Sequence, residues 1–191
     1  MGGGTGEIMI QSRLNRDFFA RPTPIVAKDL IGRGLFALGR MGFITETEAY
    51  TGFDDPASHA FRGPTPRCQI MFQNPGYTYV YLIYGMYFCL NIVTEQNEIP
   101  GAVLIRGIWN KTGHYDGPGK LCRYFGITRD HHGIDLMGQD DLFIFESSHK
   151  RPSPDCIHQT PRIGIKNGLD KLWRYWLVPH RIQDWDDVIG R

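Results

Sequence analysis

The chain has 191 residues and a formal net charge of +1, with 41% hydrophobic and 21% charged residues. These values are typical of one globular domain with its own core, and they exclude a protein that binds nucleic acid through bulk positive charge alone. No apolar run approaches the roughly 18 residues of a membrane-spanning helix, and a secretory signal is absent, so we expect a soluble, intracellular protein without a membrane partner.

The four cysteines, Cys68, Cys89, Cys122 and Cys156, are scattered along the chain. None forms a C-x-x-C pair, and no histidine stands at zinc-finger spacing from two of them. We therefore interpret them as reduced structural thiols and expect no metal site.

The N-terminal part predicts a helix followed by two strands. Residues 1–15 show little periodicity and are interpreted as a flexible N-terminus, which leaves 16–191 as a single domain. Thr23-Pro24 is typical of a helix start with Thr23 as N-cap, and Gly32 is typical of a helix end. Strands are predicted at 35–38 and from Phe43 onward, joined by the tight connection 39–42.

The second of these strands continues to Tyr50 and carries two carboxylates. Strict alternation places Ile44, Glu46, Glu48 and Tyr50 on one face, opposite Phe43, Thr45, Thr47 and Ala49. Glu46 is open to two interpretations, a charge exposed to water or a second acid beside Glu48. The first is favoured.

A long loop and a tyrosine-rich hairpin follow. The Gly- and Pro-rich segment 51–76 is predicted to be a loop, and loops of this length are usually functional or disordered. The runs 78–83 and 87–93, separated by Tyr84-Gly85-Met86, predict a hairpin in which Gly85 takes a positive φ. Core packing does not explain an aromatic residue such as Tyr84 at the tip.

The remaining elements are shorter. A strand is predicted at 102–105, ending on Arg106, and a helix begins at Gly117-Pro118-Gly119-Lys120 and ends at Gly126. A helix N-terminus beside Lys120 suits a phosphate group. Further strands are predicted at 142–145 and 162–165, and the Trp-rich run 172–178 is expected to pack in the core.

The segment 56–94 contains no Asp or Glu, and five of the nine tyrosines lie between Tyr77 and Tyr87. Flat rings beside one carboxylate, with arginines and a protruding aromatic residue, suit chemistry on a nucleobase. An enzyme that acts on a base in duplex DNA must take the base out of the stack, which costs a few kcal/mol. Stacking on aromatic side chains returns about 1–3 kcal/mol per base.

These residues resemble the alkyladenine (3-methyladenine) DNA glycosylase family, the monomeric kind unrelated to the helix-hairpin-helix glycosylases. The resemblance runs from about Arg16 to Ile165. It is densest at Glu46–Tyr50, Asp54–His59, Thr65–Arg67, Met71–Asn91, Ala102–Arg106 and Gly117–Cys122. It implies an α+β fold, a single mixed domain with a curved, open-barrel-like antiparallel sheet, flanking helices and a protruding hairpin.

The resemblance also implies a role for each site residue. Glu48 would be the catalytic general base that activates water. The base pocket would comprise Tyr50, Ala57, His59, Tyr81 and Asn91, with Asn91 barring the amino group of guanine. The DNA-binding residues would be Tyr84 as the intercalating wedge, Met86, Arg67, Arg106 and Lys120.

The implied reaction is release of alkylated or deaminated purines from double-stranded DNA, by a monomer without a cofactor. The protein would act in the cytoplasm or nucleoid of a bacterium, or in the nucleus of a eukaryote. A base alkylated at N3 or N7 is already cationic, so one carboxylate suffices to position water and stabilise an oxocarbenium-like sugar. No lysine lies between Asp29 and Asn110, which predicts a monofunctional enzyme without an amine nucleophile.

The sequence departs from the family pattern at Cys68, where the family usually has Asn, and in a shorter connection between Phe36 and Ile44. Two other functions stay open. A damaged-DNA-binding module would keep the aromatic pocket without catalysis, and a glycoside hydrolase would use Glu46 together with Glu48. Retention of Glu48 argues against the first, and Tyr84 at the hairpin tip argues against the second.

Overall fold

The computed structural model describes residues 10–147 and 151–177, which form three α-helices and ten β-strands. The helices are α1 (Arg16–Phe19), α2 (Thr23–Leu30) and α3 (Pro118–Phe125). The strands are β1 (Ile10–Arg13), β2 (Gly34–Ala37), β3 (Arg40–Tyr50), β4 (Thr78–Ile83), β5 (Tyr87–Val93), β6 (Ala102–Asn110), β7 (Gly113–Asp116), β8 (Leu142–Ser147), β9 (Ile157–Thr160) and β10 (Arg174–Leu177).

The strands form one open antiparallel sheet, which confirms the predicted α+β class. Its main path runs β1-β8-β2-β3-β6-β5-β4, with β7 paired to β6 and β9 joined through β10. None of the described helices is long and apolar enough to cross a membrane.

Strand β3 is the centre of the sheet. One edge of β3 pairs with β6 from Phe43 to Tyr50. The other edge pairs first with β2, up to Phe43, and then with β10 from Glu46 to Glu48. Because strands cover both edges of β3 at the glutamates, side chains from β6 and β10 flank them.

A double irregularity interrupts the pairing of β3 with β6. The register passes from Ile44↔Ile108 to Glu46↔Gly107 and then to Thr47↔Ile105, so Thr45 on β3 and Arg106 on β6 have no register partner. Such bulges re-aim side chains. The strict alternation predicted for this strand is therefore wrong at its start.

Two side chains show the effect. Ile44 does not share the face of the glutamates but is fully buried in the main hydrophobic core. The Oγ1 atom of Thr45 instead lies 3.1 Å from Nε2 of His114 on β7. Alternation holds from Glu46 to Tyr50.

The helices cover the core face of the sheet. Helix α2 buries Val26, Ala27 and Leu30 against it, and α3 buries Leu121 and Phe125 in the same cluster. Helix α2 also contacts β3 directly, because the hydroxyl of Thr47 donates to the carbonyl oxygen of Ala27 at 2.8 Å.

Helix α2 ends before Gly32, whose φ of 87° fits the predicted stop. The N-cap prediction is wrong: Pro22 occupies that position, and Thr23 is the first helical residue. The Thr23 hydroxyl bonds to the side chains of Thr94 and Glu95 instead.

Two further predictions need correction. Residues 10–13, predicted to be flexible, form β1, because their backbone pairs with β8; residues 1–9 lie outside the described part of the chain. Residues 162–165, predicted as a strand, form an irregular turn-containing segment.

Other expectations are confirmed. The hairpin is formed by β4 and β5 around Gly85 at φ 69°. Helix α3 ends at Gly126 in the left-handed region. The Trp-rich run contributes Tyr175 and Leu177 to the core, and Val178 falls outside the described residues.

Gly34 is required by close packing within the sheet. A Cβ atom at this position would lie 2.1 Å from Cζ of Phe145, whose ring is fully buried. We expect Gly34→Ala to lower the free energy of unfolding by about 1–3 kcal/mol, because the ring must shift within a packed core. Chemical denaturation measures this loss.

A double variant provides the control. With Phe145→Leu in the same chain, we expect the combined loss to be smaller than the sum of the two single losses. Additive losses would show that the contact between Gly34 and Phe145 is not the cause.

Candidate active site

A cavity of about 390 Å³ opens where β3, β4, β5 and β6 meet. It brings together eight of the eleven site residues predicted from the sequence. They are Glu48, Tyr50, Ala57, His59, Tyr81, Tyr84, Asn91 and Arg106. The other three, Arg67, Met86 and Lys120, lie outside its lining.

Glu48 is a fully buried carboxylate in the wall of this cavity. Its Oε1 atom accepts a hydrogen bond from the backbone N–H of Ile163 at 2.7 Å, and its Oε2 atom accepts one from the hydroxyl of Tyr50 at 2.8 Å. The Nε atom of Arg106 lies 3.5 Å from Oε1. Two donors and a cation therefore hold the carboxylate in one orientation.

The pKa of Glu48 is raised by burial, against the opposing effects of Arg106, the N–H of Ile163 and the hydroxyl of Tyr50. Burial disfavours the charged form, while the donors and the cation favour it. A carboxylate with a raised pKa is a stronger proton acceptor than an exposed one, which suits a general base.

Glu46 is not the exposed charge that the sequence favoured. It is only 8% exposed, and its Oε1 atom accepts from Nε of Arg106 at 2.9 Å and from Nε of Arg174 at 2.6 Å. Burial alone would lower the pKa of Arg106, but Glu48 and Glu46 outweigh it and the pKa is raised. Arg106 therefore stays a cation beside two carboxylates.

Neutral rings form another wall of the cavity. The rings of His59 and Tyr81 lie 4.9 Å apart at 73°, and Nδ1 of His59 lies 2.8 Å from the hydroxyl of Tyr79. The pKa of His59 is lowered by burial and by the charge of Arg67, so the imidazole is neutral near pH 7. Burial also raises the pKa of Tyr50 and Tyr81 above its usual range.

Asn91 lines the cavity with a fixed amide. Its Nδ2 atom donates to the backbone carbonyl oxygens of Tyr79, at 3.0 Å, and of Cys89, at 3.4 Å. Both bonds hold the side chain against the hairpin strands, so the amide forms a fixed part of the wall.

The hairpin tip projects aromatic and apolar side chains into solvent. Tyr84 is 84% exposed and Met86 is 65% exposed. Tyr84 has a φ of 51°, a left-handed conformation that non-glycine residues adopt at a cost. The ring of Tyr84 therefore lies at the tip, outside the hydrophobic core.

The remaining predicted residues lie around the cavity. The guanidinium of Arg67 lies 5.1 Å from the ring centroid of Tyr81, so it covers a pocket wall from outside. Lys120 on α3 is paired with Asp116 at the end of β7 at 2.5 Å, and both side chains are exposed. Cys68, at the departure from the family pattern, is buried with its Sγ atom 3.1 Å from Oγ1 of Thr65.

Sequence reasoning missed the segment 162–165, which contacts β3 and contributes three residues to the cavity wall. Arg162 is buried, and its two terminal nitrogens contact the carboxylate of Asp55 at 2.6 and 2.7 Å. It also donates to the carbonyl oxygen of Ala49 at 2.8 Å and lies over the ring of Tyr50 at 4.7 Å. This anchor places Ile163 next to Glu48.

The sequence carried only a weak signal for this ion pair. The two partners lie 107 positions apart, and the sequence predicts a strand at 162–165. Asp55 falls in a loop rich in turn residues, where a carboxylate usually caps a backbone N–H.

The described residues also contain no group of three or more His, Cys, Asp or Glu side chains that could hold a metal ion.

Comparison with known proteins gives a consistent result. The model of the methylpurine-DNA glycosylase family matches residues 17–181. A relative from Rickettsia felis is 50% identical over 165 residues, which cover 85% of this chain and 91% of the relative. A relative from Rickettsia conorii is 50% identical over 163 residues, which cover 84% of this chain and 87% of the relative. A Wolbachia relative is 49% identical over 165 residues, which cover 85% of this chain and 95% of the relative. All three bear the name "Putative 3-methyladenine DNA glycosylase".

The contribution of the buried ion pair between Asp55 and Arg162 to the stability of the protein can be tested by substitution. Asp55→Asn leaves the guanidinium buried without its carboxylate, and we expect the free energy of unfolding to fall by about 3–5 kcal/mol. Chemical denaturation at neutral pH measures the loss.

Asp54→Asn is the matched control, because Asp54 is the neighbouring acid and is 69% exposed beside Lys171. We expect it to cost less than about 1 kcal/mol, as exposed ion pairs do. Equal losses from the two substitutions would contradict a special contribution of the buried pair.

Proposed function

Because the chain belongs to the methylpurine-DNA glycosylase family, we propose that it flips an alkylated purine nucleotide out of duplex DNA into the cavity and hydrolyses its N-glycosidic bond. The observation that carries this proposal is the buried carboxylate of Glu48, held in a wall of a cavity lined by neutral rings. The protein would act as a monomer and leave an abasic site.

The reaction needs one protein base. Glu48 accepts a proton from a water molecule as the water oxygen forms a bond to C1′ of the sugar. The bond from C1′ to the base nitrogen breaks, and its electron pair leaves with the base. A purine alkylated at N3 or N7 is cationic and departs as a neutral molecule, so no general acid is required.

The cavity supplies the binding energy that flipping requires. Removing a base from the stack costs a few kcal/mol, least for a damaged base, and stacking on aromatic side chains returns about 1–3 kcal/mol. Tyr50, His59 and Tyr81 would contact the flipped base, and Asn91 would limit the space for an exocyclic amino group. The backbone around Ala57 would face the base edge.

The hairpin tip would stabilise the open duplex. Tyr84 would insert between base pairs in the minor groove and fill the vacated gap, with Met86 beside it. Arg67, Arg106 and Lys120 would contact the DNA backbone. The near-neutral chain implies that non-specific affinity is moderate and sensitive to salt.

The proposal is tested by single-turnover base release. With duplexes that contain 3-methyladenine, 7-methylguanine, hypoxanthine or ethenoadenine, we expect the wild type to release alkylated purines. Glu48→Gln should reduce the rate by at least about 100-fold, since a general base contributes about 10²- to 10⁴-fold. The variant should still bind lesion DNA in a mobility-shift assay.

Glu98→Gln is the matched control, because Glu98 is an exposed acid on the loop before β6 and should keep the wild-type rate. If the wild type and Glu48→Gln both bind lesion DNA and neither releases a base, the protein is a damaged-DNA-binding module. The same assay therefore separates the two functions.

The chemistry should leave no covalent adduct. A glycosylase that also cleaves the strand forms a Schiff base through an amine, and no lysine occurs among the described residues that line the cavity. We therefore expect borohydride to trap no protein–DNA adduct during base release, as judged by denaturing gel. A glycosylase known to form a Schiff base, treated in parallel, shows that trapping works, and a comparable adduct with this protein would contradict hydrolysis by water.

A further inference from the structure

We propose that Glu46 and Arg174 are positioning residues that keep the guanidinium of Arg106 from closing on the carboxylate of Glu48. The inference rests on the proposed function, because it concerns how Glu48 is kept available to take a proton. It gives a role to a second buried acid that the reaction itself does not require.

The distances show how Arg106 is shared. Its Nε atom lies 2.9 Å from Oε1 of Glu46, within hydrogen-bonding distance, but 3.5 Å from Oε1 of Glu48. Arg174 contacts the same Oε1 atom of Glu46 at 2.6 Å. Glu46 therefore holds Arg106 on one side, and Arg174 compensates the charge of Glu46 on the other.

The strand pairing builds this arrangement. Arg106 is the residue of β6 that the register skips, next to Gly107, which pairs with Glu46. A Cβ atom on Gly107 would lie 2.8 Å from Oγ1 of Thr45 and 3.1 Å from Cβ of Glu46, so the glycine leaves room for the irregular backbone. On the other edge of β3, β10 pairs with Glu46 through Trp176 and places Arg174 two residues away.

Glu46 acts behind the main cavity and not within it. It lines a second cavity of about 280 Å³, together with Arg174, His114 and Asp116. Arg106 and Ile163 line both cavities, whereas Glu46 does not line the main one. Glu46 is thus a positioning residue, and the interpretation of Glu46 as a second acid toward substrate has no geometric support.

A complete ion pair between Arg106 and Glu48 would harm a general base. Glu48 already accepts hydrogen bonds at both oxygens, from Ile163 and Tyr50. A close guanidinium would stabilise its charged form further and reduce its tendency to take a proton. Sharing Arg106 with Glu46 keeps Glu48 more basic than a complete ion pair with Arg106 would.

Several ionisable groups surround the two carboxylates and enter the electrostatic balance. From β3, the loop after it, β4, β5, β6, β7, β10 and the segment after β9 they are Tyr50, His59, Tyr79, Tyr81, Cys89, Arg106, His114, Asp116, Arg174 and Arg162. Glu46→Gln and Arg174→Gln each remove one charge, so the direction of each effect on the pKa of Glu48 can be assigned.

The test is the pH profile of single-turnover release of 7-methylguanine, whose acid limb reports Glu48. Glu46→Gln removes an anion and frees Arg106 to approach Glu48. Both changes lower the pKa of Glu48, so the acid limb should move to lower pH by about 0.5–1 pH unit. The maximal rate should fall by about tenfold, since Glu48 becomes a weaker base.

Arg174→Gln should have the opposite effect. It leaves the charge of Glu46 uncompensated, which draws Arg106 away from Glu48 and adds repulsion between the carboxylates. The acid limb should therefore move to higher pH by about 0.5–1 pH unit. Arg174→Lys keeps the cation and should keep the wild-type profile.

Asp29→Asn is the control for loss of an ion pair alone. Asp29, on α2, pairs with Arg21 at 2.7 Å. Helix α2 covers the face of β3 opposite the glutamates, so this variant should keep the wild-type pH profile. Comparing variants on one substrate removes the titration of the substrate from the comparison.

The inference is overturned if Glu46→Gln and Arg174→Gln shift the acid limb in the same direction, or if neither shifts it. A purely structural contribution would lower thermal stability and the rate in both without opposite shifts. If Glu46→Gln does not fold, the difference between Arg174→Gln and Arg174→Lys decides. If the wild type releases no base, the proposed function fails instead.

Discussion

The central constraint on this structure is the placement of a buried carboxyl group, that of Glu48, in the middle of a sheet. A buried charge is tolerated only where donors and counter-charges replace water. Here they come from three directions: Arg106 from β6, the hydroxyl of Tyr50 from the same strand, and the N–H of Ile163 from the segment after β9. Two of these partners, Arg106 and Ile163, are themselves held in place. Glu46 and Arg174 fix Arg106, and the pair of Asp55 and Arg162 fixes the segment that carries Ile163.

Strand β3 contributes side chains to both the hydrophobic core and the cavity, and its irregular pairing with β6 makes both contributions possible. Ile44 and Ala49 belong to the hydrophobic core, while Glu48 and Tyr50 line the cavity. In a regular strand Ile44 would share the glutamate face and bring an apolar side chain into the polar cluster. The bulge turns Ile44 into the core and leaves Thr45 and Glu46 facing the second cavity. A stable sheet and a polar site therefore coexist on one strand.

The sequence predicts the local parts of this arrangement well and the distant parts poorly. The hairpin with Gly85, the end of α3 at Gly126 and the cavity residues of β3 and β4 follow from turn chemistry and short-range alternation. The contacts of Glu46 with Arg174 and of Asp55 with Arg162 join residues 128 and 107 positions apart, and no periodicity encodes them. The bulge is equally hidden, because it depends on how β6 pairs with β3. The strand predicted at 162–165 is absent, because this segment turns and its Ile163, Gly164 and Ile165 line the cavity.

The charge balance around the cavity bears on the kind of base it would accept. Arg162 is compensated by Asp55, and the cations Arg106 and Arg174 are matched by Glu46 and Glu48. The rings that remain are neutral, since the pKa of His59 is lowered and burial raises the pKa of Tyr50 and Tyr81. A cationic base would meet aromatic faces, which attract positive charge, and Arg106, the cation that lines the cavity, is paired with carboxylates. Arg67 lies outside the lining, against the ring of Tyr81. On the proposed function, recognition would then favour the charge that alkylation gives a purine, and the same charge makes the base able to leave without an acid.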